Sequence, residues 1–190
     1  MKMKLLNRLS SIALGAVTLA ATAFTSAGAA PDKNSHEMKS IVVYFSHSGN
    51  TALAAKELAK ETGSSIVRIL PEEPYSAADL DWENPQSRCT QEHLVTTMRP
   101  AIRPLGVDFS KYDTVYIGFP IWWHEEPAVI KTFIESTDLS GKQLYPFCTS
   151  YESPMSEADE ALKKAYPVLN WHTGLRFPAS QTEIADWLRH

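Results

Sequence analysis

The sequence predicts an α/β fold, with three layers built around a doubly wound parallel sheet. Several apolar runs, such as residues 41–45 and 114–119, lack polar alternation and are typical of strands buried on both faces. Segments with apolar residues at helical spacing lie between these runs. Strands that alternate with helices form a parallel sheet covered on both sides. The chain shows no internal repeat and no second domain.

In chain order, the predicted strands cover residues 41–45, 66–70, 114–119, 144–149 and 171–177. The last is predicted to be an edge strand because its apolar side chains alternate from Trp171 to Phe177. Pro146 has no backbone N–H, so the fourth strand is expected to carry a bulge if it is central. Residues 71–112 are proline-rich and show no sustained period, and long segments of this kind are often functional.

The predicted helices cover residues 51–62, 90–98, 127–137 and 156–166, and a last helix begins at residue 180. Gly63 follows the first helix and is predicted to end it. Ser156 with Asp159, and Ser180 with Glu183, are predicted to cap the starts of the last two helices. The alternation of these helices with the strands supports the predicted fold class.

Residues 1–29 are predicted to be a secretory signal peptide. Three basic residues precede an apolar stretch that ends in small side chains. Cleavage after Ala29 would leave residues 30–38 as a loose leader and residues 39–190 as the folded domain. This organisation predicts an exported protein, periplasmic or secreted, with no stable membrane insertion after cleavage. An uncleaved N-terminal anchor is the alternative.

The predicted mature chain is acidic, because removing three basic residues and no acidic one changes the formal charge from −4 to −7. Such a chain is not expected to bind nucleic acid or anionic lipid. Cys89 and Cys148 could form a disulfide, but Cys148 lies in an apolar run and is predicted to be a packed thiol. No metal site is indicated, since His47 and His124 lack a third ligand at a recognisable spacing.

A polar loop follows the first strand, with the sequence Ser46, His47, Ser48, Gly49, Asn50 and Thr51. Its hydroxyls, its glycine and the N–H groups at the start of the next helix suit a phosphate. The loop contains no lysine or arginine and does not match the P-loop of nucleoside triphosphatases. Neutral groups are therefore expected to hold the phosphate. A serine-rich turn without a ligand is the alternative.

A second loop follows the third strand, with the sequence Pro120, Ile121, Trp122, Trp123 and His124. It offers two adjacent indoles to a flat ring. Adjacent residues of a short loop cannot both point into one apolar layer, so at least one indole is expected to face a cleft. Glu125 and Glu126 then precede the next helix, where acidic side chains suit the positive end of the helix dipole.

These two loops are expected to meet a third, which begins with Thr149, Ser150 and Tyr151. Ligands of doubly wound sheets bind beyond the carboxyl ends of the strands. A phosphate and a flat heteroaromatic ring together indicate a nucleotide-like cofactor. The chain has no Gly-x-Gly-x-x-Gly motif, which argues against a dinucleotide. A serine hydrolase is also disfavoured, since no Gly-x-Ser-x-Gly elbow is present.

The motifs resemble those of the flavodoxin family. Residues 46–51 look like the flavodoxin phosphate loop, whose pattern is Thr/Ser-x-Thr/Ser-Gly-x-Thr, and residues 118–124 resemble the flavin-flanking loop of bacterial flavodoxin-like proteins. The likeness spans about residues 39–177 and includes residues 81–85 and 146–150. It implies a five-stranded parallel sheet in the order 2-1-3-4-5 and a non-covalently bound FMN.

By this resemblance, FMN would contact the three loops: Ser46, His47, Ser48, Gly49, Asn50 and Thr51 at the phosphate, Pro120, Ile121, Trp122, Trp123 and His124 at the isoalloxazine, and Thr149, Ser150 and Tyr151 in the third loop. Many flavodoxin-like chains continue the third loop with glycines, whereas this chain has Tyr151 and Glu152. Tyr151 could replace the lost contact by stacking, and an inward Glu152 would disfavour negative charge on a reduced flavin. Alternatively, the change weakens flavin binding.

The resemblance implies flavin redox chemistry with an unidentified redox partner or small-molecule acceptor. Electron transfer and reduction of a quinone-like acceptor are both open, so enzyme activity is undecided and no catalytic residue is assigned. The alternative from another class is an exported binding module that has kept the fold and lost tight flavin binding.

Overall fold

A computed structural model describes residues 39–189, so the predicted signal peptide and leader lie outside the described residues. The strands are β1 (Ser40–Tyr44), β2 (Ser65–Arg68), β3 (Thr114–Pro120), β4 (Gln143–Thr149), β5 (Asn170–Trp171) and β6 (Leu175–Phe177). The α-helices are α1 (Asn50–Thr62), α2 (Arg88–Leu94), α3 (Ala128–Ser136), α4 (Met155–Ala165) and α5 (Gln181–Trp187). Across residues 39–189, no helix has the length and apolar character needed to cross a membrane.

The strands form one parallel sheet in the order β2-β1-β3-β4-β5, and β6 also pairs with β4. β1 lies between β2 and β3, since Ile41 is in register with Ser65 on one side and with Val115 on the other. Helices cover both faces of this sheet. The predicted doubly wound fold and its strand order are confirmed.

The fifth position of the sheet holds two short strands, whereas the sequence predicts one edge strand over residues 171–177. β5 pairs with Gln143 and Leu144, and β6 pairs with β4 from Phe147 to Thr149. The prediction of a single strand is therefore wrong for the residues between β5 and β6.

Pro146 explains this interruption. The N–H of His172 donates to the carbonyl of Leu144 at 2.9 Å, so the backbone of Pro146, two residues further on, faces the same side of β4. Pro146 has no N–H to offer there, and it lies opposite the gap between β5 and β6. Toward β3 the register of β4 is continuous, so the predicted bulge is wrong.

The side chains of β1 alternate between two apolar cores, one on each face of the sheet. Val43 packs in the core that α3 and α4 complete, where Phe133 and Leu162 are fully buried. Val42 packs in the core that α1 and α5 complete, together with Leu58. Because both faces of β1 are covered, the strand needs no polar residues, as its sequence predicts.

The helix ends follow the predicted signals with one exception. Gly63 ends α1 in the left-handed conformation, with a φ of 65°. Ser180 and Glu183 form the predicted capping box of α5. Ser156 is not an N-cap, because α4 begins one residue earlier and the extended backbone of Pro154 already supplies the N-cap conformation.

The segment between β2 and β3 leaves the sheet and returns to the same point. Glu72 donates its N–H to the carbonyl of Ala101 at 2.9 Å, and Arg103 donates to the carbonyl of Leu70 at 2.8 Å. Between these bonds the chain forms one 3₁₀ turn and α2, which spans Arg88–Leu94 where residues 90–98 were predicted. The two ends of this segment are thus held together by backbone hydrogen bonds.

A buried polar network anchors α2 inside this segment. Tyr75 donates its hydroxyl to Glu92 Oε2 at 2.6 Å, and Arg88 Nε donates to Glu92 Oε1 at 2.7 Å. The guanidinium carbon of Arg88 also lies 4.2 Å from the centre of the Tyr75 ring. Burial raises the pKa of Tyr75 above its usual range, so this hydroxyl remains a donor.

We expect Gly118→Ala to lower the free energy of unfolding by about 2 kcal/mol, because overpacking a core is costly. A Cβ at this position in β3 would lie 2.2 Å from Cζ of Phe147. Urea unfolding followed by circular dichroism measures the loss. Combining Gly118→Ala with Phe147→Leu should cost less than the sum of the two single losses. Strict additivity of the two losses would contradict the predicted clash.

Candidate functional site

The loop between β1 and α1 has the geometry of a phosphate-binding turn. Gly49 immediately precedes α1 and has a φ of 97°, a conformation that favours glycine. Its N–H donates to Ser46 Oγ at 3.2 Å, and Ser46 is 1% exposed. The glycine and Ser46 therefore shape the loop. The positive end of a 13-residue helix lies directly behind it.

The predicted loop residues divide into an inner and an outer group. Thr51 is buried, and its hydroxyl is 2.7 Å from the hydroxyl of Thr149 at the end of β4. This contact joins the first loop to the third. His47, Ser48 and Asn50 are exposed, so their polar groups face the surface from which a ligand would enter.

A cation lies beside this loop although the loop sequence contains none. Arg68, in β2, donates from Nη2 to the carbonyl of Ser46 at 2.5 Å. Arg68 was not among the predicted site residues. The predicted pairing of β1 with β2 could have identified Arg68. Parallel neighbours end at the same edge of the sheet, so Arg68, in register with Tyr44, lies beside the loop that follows β1.

An aromatic cavity of about 360 Å³ opens beside the outer group. Three parts of the chain line it: His47 and Ser48 from the first loop, Pro120, Ile121, Trp122 and Trp123 from the second, and Leu80, Trp82 and Cys89 from the segment between β2 and β3. Both indoles of the second loop reach the cavity, which confirms the prediction that at least one faces a cleft. The exposed Trp82 was not among the predicted site residues.

The second loop turns back on itself at Trp123 and His124. Trp122 and Glu125 exchange both backbone hydrogen bonds, each 3.0 Å long. Trp123 and His124 have φ values of 46° and 66°, which are unusual for residues of this size. Turns of this type favour asparagine and glycine, so the two bulky residues are held in a strained conformation.

Side-chain contacts hold this strained turn from several sides. The Trp123 ring stacks on His93 of α2 with centroids 4.9 Å apart and an angle of 7°. Trp122 packs edge-on against Phe45, with centroids 5.7 Å apart. His124 Nδ1 lies 2.5 Å from Glu157 Oε2 of α4. These contacts fix the two indoles relative to the sheet.

The third predicted loop lines a different cavity. A space of about 490 Å³ lies beside α1 and is bordered by Asn50, Thr149, Ser150 and Tyr151. It shares Ser48, Pro120 and Ile121 with the aromatic cavity. Tyr151 is 96% exposed, so its ring does not block either space. Ser150 donates to the carbonyl of Ser153 within its own loop, and Glu152 is exposed.

The cysteines are buried free thiols. Cys89 is 3% exposed and Cys148 is fully buried, so the prediction of a packed thiol is confirmed for Cys148 and the disulfide does not form. Burial raises the pKa of Cys148 to about 12, which keeps this thiol protonated.

Among the residues that the structure describes, no group of three or more His, Cys, Asp and Glu side chains could hold a metal ion.

The strand order, the glycine turn before α1 and the aromatic loop after β3 define a flavodoxin-like protein. The model of the flavodoxin family matches residues 39–190. The chain belongs to the flavodoxin family. A comparison with curated proteins gives no match.

Solved structures agree with this assignment. The chain is 43% identical to a candidate flavoprotein from Bacteroides eggerthii, with a TM-score of 0.77 over 80% of this chain and 96% of that one. It is 42% identical to another from Bacteroides uniformis, with a TM-score of 0.76 over 80% and 99%. A Lactobacillus acidophilus flavoprotein in complex with FMN is 21% identical, with a TM-score of 0.67 over 80% and 99%, and shares the fold.

Proposed function

We propose that this protein binds FMN without a covalent bond and uses it in electron transfer or in the reduction of a small, quinone-like acceptor. The observation that carries this proposal is the junction at Ser48, where the glycine turn at the start of α1 opens directly into the aromatic cavity. FMN supplies reversible uptake of one or two electrons when it is bound. The complex of the Lactobacillus acidophilus flavoprotein with FMN supports the choice of flavin.

The residues present fit the two ends of FMN. His47, Ser48 and Asn50 are exposed beside the N–H groups of α1, so they would hold the phosphate while Ser46, Gly49 and Thr51 keep the loop in shape. Pro120, Ile121, Trp122 and Trp123 would border the flat ring, and the exposed Trp82 would exclude water from its outer side.

The remaining predicted contacts belong to the edges of the site. His124 positions the second loop through Glu157. Thr149 positions the first loop through Thr51, while Ser150 and Tyr151 line the cavity of about 490 Å³ beside it. Ser48, Pro120 and Ile121 line both this second cavity and the aromatic cavity, so a small acceptor in the second cavity would lie next to the flavin. Such an arrangement favours direct transfer between two bound molecules.

Titration of FMN into the purified protein tests the proposal. We expect the flavin fluorescence to be quenched at micromolar concentrations, because an indole stacked on the ring quenches its emission. Trp123→Ala should weaken FMN binding roughly tenfold through the lost aromatic contact. Trp171→Phe, at the far edge of the sheet, is the matched control and should leave the affinity unchanged. Absence of quenching in the unaltered protein would leave the binding-module alternative.

Electron transfer and acceptor reduction differ in where the acceptor binds. An enzyme should bind a quinone in the second cavity, so Tyr151→Ser should raise the KM for the quinone and leave FMN affinity unchanged. A shuttle should pass electrons to a protein partner, and its rate should not depend on Tyr151 in this way.

Export is also part of the proposal, and mass spectrometry of the protein from its own host tests whether the mature chain begins at Ala30.

A further inference from the structure

Glu126 is a buried carboxyl that the proposed flavin site does not use. It precedes α3 and is 4% exposed. Its Oε2 has no hydrogen-bond partner among residues 39–189. Lys131 lies 3.9 Å from Oε1 but is closer to Glu125, at 3.0 Å. The sequence predicts that the positive end of the α3 dipole stabilises the charge of Glu126. The structure shows instead that the Glu126 carboxyl is buried without adequate solvation.

The position of Glu126 links it to the aromatic cavity. A space of about 20 Å³ is lined by Glu126 and also by Cys89, Trp122 and Trp123. The same three residues line the aromatic cavity. The buried carboxyl and the proposed flavin cavity therefore share three wall residues.

The charged and titratable groups around Glu126 leave its charge poorly balanced. Within its own loop and α3, a hydrogen bond from the backbone of Glu126 and the charge of Lys131 favour the carboxylate, whereas Glu125 opposes it. From α2, Glu92 and His93 border the same small space, and Cys89 lies beside them. From the end of α4, Tyr166 interacts electrostatically with Glu126.

The surroundings favour the neutral carboxyl. The carboxylate of Glu92 is already engaged by Tyr75 and Arg88, and the positive charge of Arg99 acts only weakly on Glu126. Burial is the largest effect and raises the pKa of Glu126 to about 7.

We infer that Glu126 takes up a proton when a flat ligand fills the aromatic cavity, so that ligand affinity falls as the pH rises. This inference rests on the proposed function. A ring in the cavity removes water from the wall in front of Glu126, and the phosphate of FMN adds negative charge; both effects disfavour the carboxylate. The proton comes from solvent and joins a carboxylate oxygen. By linkage, the protonated state must bind the ligand more tightly.

Calorimetric titration of FMN, in two buffers of different ionisation enthalpy, measures the protons taken up. Near pH 7.5 we expect uptake of roughly half a proton per FMN, if binding raises the pKa by about one unit. Between pH 6 and pH 8.5 the dissociation constant for FMN should increase in both proteins. The fold increase should be roughly ten times larger in the unaltered protein than in Glu126→Gln. The ionisation of FMN itself cancels in this comparison.

Glu125→Gln is the matched control, because Glu125 contacts the same lysine and its side chain is 40% exposed. It should keep the proton uptake, centred at a lower pH because Glu125 no longer opposes the negative charge of Glu126. Glu126→Met should behave as Glu126→Gln does, and near-UV circular dichroism checks that each variant is folded.

Unchanged proton uptake in both Glu126 variants would overturn the inference, as would its loss in Glu125→Gln. If the protein bound no FMN at any pH, the proposed function would fail and the inference with it. Normal binding without proton uptake would overturn the inference alone.

Discussion

Replacing Ser48 with glutamate should weaken FMN binding roughly 100-fold and leave riboflavin binding nearly unchanged. Ser48 is exposed at the point where the loop between β1 and α1 meets the aromatic cavity. A carboxylate there would face the phosphate, and two unit charges about 5 Å apart repel by roughly 3 kcal/mol at an effective dielectric constant of about 20. Riboflavin has the same ring and no phosphate. Fluorescence titration with both flavins measures the difference.

Ser48→Gln separates charge from size in this experiment. Glutamine has the bulk of glutamate without its charge, so this variant should bind FMN at most a few-fold more weakly than the unaltered protein. An equal loss of FMN affinity in both variants would mean that the loop rejects a larger side chain. An equal loss of FMN and riboflavin affinity in Ser48→Glu would mean that the phosphate is not held beside this residue.

Without any ligand, Glu126→Gln should stabilise the protein at alkaline pH relative to the unaltered chain. The carboxyl has a pKa of 4.5 in the unfolded chain, and burial raises it to about 7 in the folded protein. The folded state therefore holds the proton more tightly, and stability falls as the pH rises from about 4.5 through about 7. Since one pKa unit corresponds to about 1.4 kcal/mol, the full loss is roughly 3 kcal/mol.

Urea unfolding at pH 5 and pH 8.5 checks this result. The difference in unfolding free energy between Glu126→Gln and the unaltered protein should grow in favour of the variant between these two values. Glu125→Gln should show no comparable change, because its carboxyl is partly solvated. A pH-independent difference for Glu126→Gln would show that this carboxyl does not titrate in the folded state between those pH values.

The strands and their order could be predicted from sequence because the strands buried on both faces leave a continuous apolar signal, as residues 114–119 do. The split between β5 and β6 could not be predicted. It depends on which side of β4 the backbone of Pro146 faces, and this is set by pairing with His172. The true start of α4 was also hidden, because Pro154 supplies the N-cap conformation by its backbone and not by a side chain.

The candidate site was predictable where its residues are consecutive in sequence, as in residues 46–51 and 120–124. The other site residues are distant in sequence. Strand pairing brings Arg68 beside the first loop, and an aperiodic segment brings Leu80 and Trp82 to the aromatic cavity, so the sequence around each of them carries no signal. The burial of Glu126 was hidden for a related reason. An acid before a helix is ordinarily solvated, whereas Glu126 is 4% exposed and lines a small space with residues of α2, α3 and the second loop.

The backbone bonds that join residues 70–72 to residues 101–103 affect how the segment between them can be exchanged. The two ends of the segment between these bonds already meet, so a shorter or longer sequence there costs little loop-closure entropy. Tyr75 packs on Phe45 in the core, so a replacement segment needs a similar ring at that point. Because this segment contributes Leu80, Trp82 and Cys89, its exchange would remodel one wall of the aromatic cavity while the loop between β1 and α1 is retained. Engineering of the aromatic cavity can therefore begin with the segment between residues 72 and 101.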